Sequence, residues 1–282
     1  MKIRFLGTGT SVGVPQIGCD CPTCTSPDPR DRRNRCGLHV LCSPGRGFLV
    51  DTPPEMRLAC ANFKVRDVES VLITHAHMDH IAGFDDVRRF NTINGETVPC
   101  DPNSPGANGR TFRIIGKPMN CYALPETIEQ MHRIFPYISS KGGENGLFRP
   151  QINFTDNTSP FSVCGIDVES LKVDHGGFPC CGYLMRDPVR GKSAAYIPDC
   201  HVIPDDVIAK LRGVDLMILN CLRVRQHPTH LTFERSLAYM GQIAPRQGRL
   251  VHMCHDFTQV QWLEKLAGTN IRPAFDGEEI EI

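Results

Sequence analysis

Three histidines and one aspartate follow a single apolar run, and this arrangement constrains the fold more than any other feature. The run VESVLI occupies residues 68–73, and THAHMDH occupies residues 74–80. The β-branched, apolar run predicts a buried strand. His75 and His77 then project to the same side of extended backbone, while Asp79 and His80 follow where the chain turns. An imidazole offers one lone pair and a carboxylate two oxygens that can bridge, so this spacing suits two neighbouring metal ions.

The alternative for this segment is a polar turn with three unrelated histidines. Only 11 of the 282 residues are histidine, and three of them fall within six positions at the end of a strand. Such a density at a strand end is typical of metal ligands. We therefore favour the metal-site interpretation.

Strand and helix patterns alternate along both halves of the chain. The first half predicts strands at 2–8, 37–42, 47–52, 68–75, 113–117 and 121–124, and helices at 81–91 and 125–135. The second half predicts strands at 165–175, 180–186, 192–199, 214–221 and 248–254, and helices at 204–212, 232–244 and 257–268. Two such arrays predict two sheets packed face to face, with helices outside. We expect one domain over residues 1–282, with a Gly-, Pro- and Asn-rich surface insertion at about 92–160.

Composition and charge narrow the classes of partner. The 31 basic and 31 acidic residues cancel, so charge gives no support to a nucleic-acid partner. The N-terminal stretch MKIRFLGTGTS lacks the apolar segment of a secretory signal, and no apolar run approaches the length of a membrane span. Fourteen cysteines in a chain of this kind indicate buried thiols and metal ligands rather than disulfides. We expect a cytoplasmic protein without a membrane partner, and the sequence leaves a homodimer open.

The histidine cluster resembles the HxHxDH motif of the metallo-β-lactamase-fold hydrolases. That family's other motifs follow in order as Asp51 in FLVDT, His175 in KVDHGG, Asp199 in AAYIPD and His252 in RLVH. The resemblance implies an α+β fold of four αββα layers with two mixed β-sheets. It also implies two divalent metal ions, Zn²⁺ or Mn²⁺, with one set of ligands from His75, His77 and His175, another from Asp79, His80 and His252, and Asp199 bridging. Asp51 would orient the cluster rather than bind metal.

A second metal site is indicated by GCDCPTC at residues 18–24, which carries Cys19, Cys21 and Cys24. The CxCxxC spacing lets three thiolates converge on one tetrahedral ion, with a fourth ligand from elsewhere in the chain. A redox CxxC pair or plain buried thiols are the alternatives, and the third cysteine argues against the redox pair. We predict a structural Zn²⁺ with His255 as the fourth ligand, ranked above Cys254.

These N-terminal and C-terminal motifs together narrow the resemblance. LGTGTSVGVPQIGCDCPTC with the late HMCHD is similar to the branch that contains phosphoribosyl cyclic phosphodiesterase, over residues 1–90 and 165–260. GTGTSVG is not a dinucleotide fingerprint, because its glycines fall in GxGxxxG spacing and proline follows where a helix should begin. The resemblance implies that His230, before an amphipathic helix, protonates the leaving alkoxide. His227 is the competing candidate for the proton donor. Arg223 and Arg225 are candidates for contact with the substrate.

We predict a dinuclear metal-dependent hydrolase, a phosphodiesterase acting on a small phosphate diester, cyclic or simple, with turnover dependent on His230, Asp79 and Asp51. One alternative is an endonuclease of the tRNA 3′-processing type, which shares the cluster but carries a long basic arm. Another is a non-hydrolytic cofactor-biosynthesis protein of the same fold, which shares the CxCxxC loop.

Overall fold

The computed structural model describes residues 1–104, 107–138 and 150–282, which contain two seven-stranded sheets and one two-stranded sheet. The strands are β1 (Lys2–Gly7), β2 (Gly37–Ser43), β3 (Arg46–Val50), β4 (Ser70–Leu72), β5 (Glu96–Pro99), β6 (Phe112–Ile115), β7 (Met119–Ala123), β8 (Ile152–Asp156), β9 (Phe161–Val163), β10 (Ile166–His175), β11 (Phe178–Asp187), β12 (Lys192–Ile197), β13 (Leu216–Asn220), β14 (Gln247–Val251), β15 (Ile271–Pro273) and β16 (Glu279–Glu281). The helices are α1 (Met56–Asn62), α2 (Met78–Ile81), α3 (Arg88–Ile93), α4 (Pro125–Ile134), α5 (Asp205–Leu211), α6 (Phe233–Ile243) and α7 (Gln259–Lys265).

Each large sheet has an antiparallel half and a parallel half. The first has the order β16-β1-β2-β3-β4-β7-β8, antiparallel from β16 to β3 and parallel from β3 to β8. The second has the order β15-β14-β13-β12-β11-β10-β9, parallel from β15 to β12 and antiparallel from β12 to β9. The sheets are therefore mixed, as the resemblance implied.

The strands alternate between two apolar layers, and this alternation produces the sandwich. In β11, Tyr183 and Met185 enter the core between the sheets, while Leu184 packs on the other face with residues of α5, α6 and α7. In β3, Val50 enters the central core and Leu49 packs with residues of α1 and α4. Burying one large apolar side chain stabilises the fold by about 1.5–3 kcal/mol, and each layer contains many such side chains. The predicted four-layer αββα fold is confirmed.

The strand directions bring the polar segments that follow several strands to one edge of the sandwich. β3, β4, β12, β13 and β14 belong to the parallel halves, and β10 runs in the direction of β12 because β11 is antiparallel to both. Residues after the carboxyl ends of such strands lie at the same edge, where open sheets place their ligands. The HxHxDH segment follows β4 at this edge.

Several local predictions need correction. The helix predicted at 81–91 is broken: α2 ends at Ile81, a 3-10 turn covers Phe84–Val87, and α3 begins at Arg88. The break falls around Gly83, whose missing side chain leaves room for the Pro53 carbonyl. The sequence does not predict the helix at Met56–Asn62, because 7 residues are too few to show a helical periodicity.

The predicted surface insertion at about 92–160 divides into two parts. β5 and β6 form the separate two-stranded sheet, whereas β7 and β8 are strands of the first large sheet and α4 packs on its outer face. Residues 105–106 and 139–149 of the insertion lie outside the described residues. None of the helices in the described parts of the chain has the length and apolar character needed to cross a bilayer.

Candidate active site

Four side chains converge in a first cluster at the shared strand edge. His75 follows β4, His175 ends β10, and Asp199 follows β12. His77 Nδ1 lies 3.0 Å from His75 Nε2 and 3.3 Å from His175 Nε2. Asp199 Oδ2 lies 3.8 Å from His75 Nε2 and 3.7 Å from His175 Nε2. Three imidazoles and one carboxylate oxygen therefore surround one point.

A second cluster shares the same aspartate. His80 Nε2 lies 3.3 Å from Asp79 Oδ2 and 3.3 Å from Asp199 Oδ1. His252 Nε2, from the residue after β14, lies 3.5 Å from Asp79 Oδ2 and 3.3 Å from Asp199 Oδ1. Asp199 thus contributes one oxygen to each cluster, which is the geometry of a bridging carboxylate.

Two properties of the clusters fit divalent metal ions. These are the distances between the ligand atoms and the presence of buried polar atoms without hydrogen-bond partners. A tetrahedral zinc site with ligand bonds of about 2.0–2.1 Å places neighbouring ligand atoms about 3.3 Å apart, close to the separations found here. Among the described residues, His80 Nε2, His252 Nε2 and Asp199 Oδ1 are buried without a hydrogen-bond partner. A buried polar atom without a hydrogen-bond partner destabilises the fold. Unpaired atoms that are directed at a common point therefore indicate a cation site.

Asp51 orients the second cluster through a hydrogen bond with His80. Its Oδ2 accepts a hydrogen bond from His80 Nδ1 at 2.8 Å, which leaves the His80 Nε2 lone pair facing Asp79 and Asp199. Its Oδ1 accepts from the Thr74 backbone N–H at 2.9 Å and the Thr74 hydroxyl at 3.0 Å. Asp51 has φ 63° and His252 φ 58°, the left-handed region that non-glycine residues rarely adopt outside functional sites.

The electrostatics of the clusters favour bound cations. Burial opposes a charge on His80, but Asp199, Asp79 and Asp51 together hold its pKa well above the usual range. Burial would likewise raise the pKa of Asp79, yet the neighbouring His80 and His252 hold it below the usual range. The pKa values of Asp79 and Asp199 are both held below the usual range, so these two carboxylates remain negatively charged around a small volume. Divalent cations would neutralise that charge.

His230 lies directly above the shared aspartate. Its Nδ1 is 3.8 Å from Asp199 Oδ2 and is buried without a hydrogen-bond partner among the described residues. Its ring stacks on His252 with centroids 4.7 Å apart, and His227 lies beside it at 4.9 Å. Burial and the neighbouring His252 lower the pKa of His230 to about 2. In the absence of substrate the His230 ring is therefore neutral.

The segment that carries His230 is fixed directly after that residue. Thr232 caps α6 by accepting a hydrogen bond from the Arg235 backbone N–H. Asn220, buried at the end of β13, accepts from the Leu231 backbone N–H at 2.8 Å and donates to the Pro198 carbonyl at 2.7 Å. The amide of Asn220 therefore ties the His230 segment to the chain that leads into Asp199.

The structure also brings the predicted cysteine cluster together. His255 Nδ1 lies 3.2 Å from Cys19 Sγ, 3.6 Å from Cys21 Sγ and 3.4 Å from Cys24 Sγ. A zinc ion with three thiolate bonds of about 2.3 Å and one imidazole bond of about 2.0–2.1 Å places sulfur and nitrogen about 3.6 Å apart. Among the described residues, His255 and not Cys254 joins the three thiols.

A small polar cavity adjoins both sites. Its volume is about 190 Å³, and its lining includes Arg223, Arg225, His227, Gln16 and Asp256. The Arg223 guanidinium donates to the carbonyls of Arg225 at 3.3 Å and Gln226 at 3.0 Å, so it holds the turn of its own loop. Arg225 lines the same cavity.

Residues that support the site were missed at the sequence level. Thr74, Asn220 and Phe178 were not singled out, although Thr74 binds Asp51 and the Phe178 ring stacks on His77 at 4.2 Å. Asn220 carried a signal, because it is a polar residue ending the apolar strand VDLMIL. Phe178 carried none, since its contact depends on the β10–β11 hairpin register.

Comparison with known proteins agrees with this geometry. The family model described as Beta-lactamase superfamily domain matches residues 39–253. The chain belongs to the beta-lactamase superfamily. The crystal structure of a diphosphatase from the PhnP family has a TM-score of 0.81 and 30% sequence identity, covering 100% of this chain and 97% of that chain. Within the superfamily, the chain is a metallo-β-lactamase-fold metallohydrolase of the PhnP-like branch.

Two curated relatives of this superfamily member carry other names. An octanoyltransferase of Porphyromonas gingivalis is 28% identical over 280 residues, which is 99% of this chain and 51% of that protein. The chain therefore spans about half the length of this relative. Coenzyme PQQ synthesis protein B of Methylorubrum populi is 24% identical over 236 residues, which is 78% of this chain and 72% of that protein. The curated relatives that this chain matches therefore carry names that differ from one another.

Proposed function

We propose that this metallohydrolase is a phosphodiesterase that cleaves a small phosphate diester, including five-membered cyclic phosphates. The observation that carries the proposal is the position of Asp199, whose two oxygens belong to different clusters while His230 Nδ1 lies 3.8 Å from one of them. Two cation sites joined by one carboxylate, with a histidine on the open side, are suited to a phosphoryl group.

We propose that His75, His77 and His175 hold one divalent cation and Asp79, His80 and His252 the other, with Asp199 shared. Zn²⁺ and Mn²⁺ both suit these imidazole and carboxylate ligands. When bound, two such cations supply Lewis-acid stabilisation of phosphoryl oxygens and a nucleophile at neutral pH. Cys19, Cys21, Cys24 and His255 would hold a structural Zn²⁺.

The chain's own residues then have distinct tasks. Asp51 keeps the His80 Nδ1 proton in place, and the Thr229 carbonyl accepts from His175 Nδ1 at 2.8 Å, so both rings present Nε2. His230 delivers a proton from Nδ1 to the leaving oxygen. Because its ring is neutral without substrate, it takes up that proton together with the anionic phosphate, whose charge favours the imidazolium.

The size of the substrate is argued from charge and from the adjoining cavity. A polynucleotide would meet a chain with a formal net charge of zero, which offers little release of counterions from a phosphate backbone. The cavity of about 190 Å³ beside His227 and Arg225 has room for a small polar group next to the scissile bond. The similar structure from the PhnP family is described as a diphosphatase, which supports a substrate that contains phosphate.

The test compares two leaving groups in one set of variants. Wild type should hydrolyse bis(p-nitrophenyl) phosphate and a 2′,3′-cyclic nucleotide. Asp79→Ala should nearly abolish both reactions by removing a cation ligand. His230→Ala should slow the cyclic substrate by about 10²–10⁴, because its leaving alkoxide needs a proton. The same variant should slow release of p-nitrophenolate less than about tenfold, since that leaving group needs little protonation.

His227→Ala is the matched control, because His227 lies 4.9 Å from the His230 ring but not against Asp199. It should leave the ratio of the two rates unchanged. Equal losses on both substrates in His230→Ala would remove His230 from the role of proton donor, and a changed ratio in His227→Ala would assign the role there. Precursor tRNA cleaved much faster than both esters would favour the endonuclease. Inactivity of the metal-loaded protein on all diesters would favour a non-hydrolytic role, as in cofactor biosynthesis.

A further inference from the structure

Two cysteines from opposite sheets meet at the edge of the sandwich away from the active site. Cys42 belongs to β2 of the first sheet and, like Leu38 and Val40, points into the core between the sheets. Cys164 lies in the turn between β9 and β10 of the second sheet and packs against the same core. They are 122 positions apart along the chain, so only the fold brings them together.

The hydrogen bonds of Cys164 place its thiol beside Cys42. Cys164 Sγ lies 3.6 Å from the Gly47 carbonyl and 3.6 Å from Glu69 Oε2. Gly47 pairs with Leu41 across the β2–β3 hairpin, and the register shifts immediately after Leu41, where Cys42 follows. Cys164 Sγ therefore packs against the end of the β2–β3 hairpin from which Cys42 projects into the same core.

The backbone at Cys164 breaks a local rule. Val163 pairs with Ile166, so Cys164 and Gly165 form a two-residue hairpin turn with φ 53° and 83°. Such turns strongly prefer asparagine, aspartate or glycine at the first position, because a side chain is strained at positive φ. A cysteine held at this position, with a second thiol beside it, indicates that the thiol itself has a use.

We propose that Cys42 and Cys164 form a reversible disulfide that joins the two sheets when the protein meets a low-molecular-weight disulfide such as glutathione disulfide. Cys164 is half-buried and Cys42 is 7% exposed, so Cys164 reacts first. A hydrogen bond with Cys42 lowers the pKa of the Cys164 thiol, which favours the attacking thiolate.

The exchange balances in two steps. The Cys164 thiolate attacks one sulfur of glutathione disulfide, forming a mixed disulfide and releasing one glutathione thiolate, which takes up the proton that Cys164 lost. The Cys42 thiol gives its proton to solvent and attacks the Cys164 sulfur, and the second glutathione leaves and is protonated. Two protein thiols are oxidised by two electrons, and one glutathione disulfide is reduced to two thiols.

The length of β3 separates the Cys42–Cys164 pair from the active site. Gly47 lies near the start of β3 and Asp51 directly follows its end. Four residues of strand at about 3.3 Å each put about 13 Å between the two ends. Oxidation should therefore raise resistance to unfolding, by linking residues 42 and 164, without changing the active-site geometry.

The experiment uses metal-loaded wild type, Cys164→Ser, and Cys100→Ser as the matched control. Cys100 is another half-buried cysteine, and its thiol hydrogen-bonds to the Arg110 carbonyl. Each protein is incubated with reduced or oxidised glutathione, its free thiols are blocked, and tryptic peptides are analysed by mass spectrometry. Wild type and Cys100→Ser should yield the peptide of residues 36–46 linked to the peptide carrying Cys164. Both should also melt higher after oxidation, on the order of 5 °C, and revert with reductant.

Cys164→Ser should show neither the linked peptide nor the melting shift, while keeping wild-type hydrolysis of bis(p-nitrophenyl) phosphate. The proposal is overturned if Cys42 and Cys164 stay separately blockable in oxidised wild type. It is also overturned if Cys164 stops at the mixed disulfide with glutathione, or if Cys164→Ser gains the same melting shift. Cys42→Ala, which keeps a small apolar side chain in the core, provides the second variant and should leave Cys164 only glutathionylated.

Discussion

Arg33 is a fully buried cation whose replacement tests how the segment that carries the metal-site histidines is held. Its side chain is 0% exposed, and its partner Asp31, 3.6 Å away, is 3% exposed. Its guanidinium also donates to the carbonyls of Cys254 at 2.5 Å and Phe257 at 2.9 Å. One side chain thus clamps the turn around His255 to the segment that follows the cysteine loop.

Arg33→Met should destabilise the fold severely. The methionine fills much of the arginine volume but leaves Asp31 as an uncompensated buried charge and removes the donor to two carbonyls. Breaking a buried pair in this way costs about 3–5 kcal/mol. The matched control is Arg30→Met in the same segment, because the Arg30–Asp28 pair is 40% and 24% exposed. Exposed pairs contribute about 0–1 kcal/mol, so the control should change little.

Guanidinium unfolding of the zinc-loaded protein would measure the difference. Trp262 is the sole tryptophan, is fully buried, and lies 5.1 Å from the Phe257 ring, so its fluorescence reports on this corner. With an m-value of about 4 kcal/mol/M, Arg33→Met should lower the midpoint by about 1 M. Asp31→Asn combined with Arg33→Met should recover part of that loss, because no buried charge is left unpaired. Equal midpoints for Arg33→Met and Arg30→Met would refute the reasoning.

Three further predictions concern the metal sites. Elemental analysis of protein purified without chelator should give about three metal ions per chain, and one or fewer in folded protein would contradict the two-cluster assignment. Cys21→Ser should lose one zinc and melt lower, since structural zinc contributes directly to folding, and unchanged melting with unchanged zinc would point to another role for the thiol. Asp51→Asn should weaken metal binding about 10–100-fold in a chelator titration, because the His80 Nδ1 proton loses its carboxylate acceptor, and wild-type affinity would count against that role.

The layered fold could be predicted because many strands are continuous apolar runs with clear ends. Segments such as residues 180–186 and 214–221 place apolar side chains on both faces, which requires a covered sheet. The short strands β5, β8 and β9 could not be predicted, because three to five residues give too little periodicity. The broken helix after His80 was missed for a different reason. Its apolar spacing is helical, but a contact with the Pro53 carbonyl at Gly83 interrupts it, and that contact is non-local.

The sequence could predict the clusters of proposed ligands but not the residues that support them. The proposed ligands lie at strand ends in a characteristic order, whereas the contacts of Thr74 and Asn220 depend on hydrogen bonds across the fold. Asn220, for instance, pairs with the chain at Pro198 and Leu231, which no spacing in the sequence encodes. Substrate contact by Arg223 stays a prediction, and the structure adds that its guanidinium donates to the carbonyls of its own loop.

The short segment from His252 to His255 joins the two proposed metal sites through one turn of backbone. His252 has its ring in the dinuclear cluster and its φ at 58°, while His255 lies three residues on, among the thiols. A left-handed residue is held only when its surroundings determine it, and here the flanking fixed points are β14 on one side and the cysteine cluster with Arg33 on the other. Ordering the cysteine cluster therefore helps to aim His252 at Asp79 and Asp199. A zinc ion among these thiols would therefore act on the dinuclear site through the position of His252, and its loss should weaken cation binding by Asp79, His80 and His252 before cation binding by His75, His77 and His175.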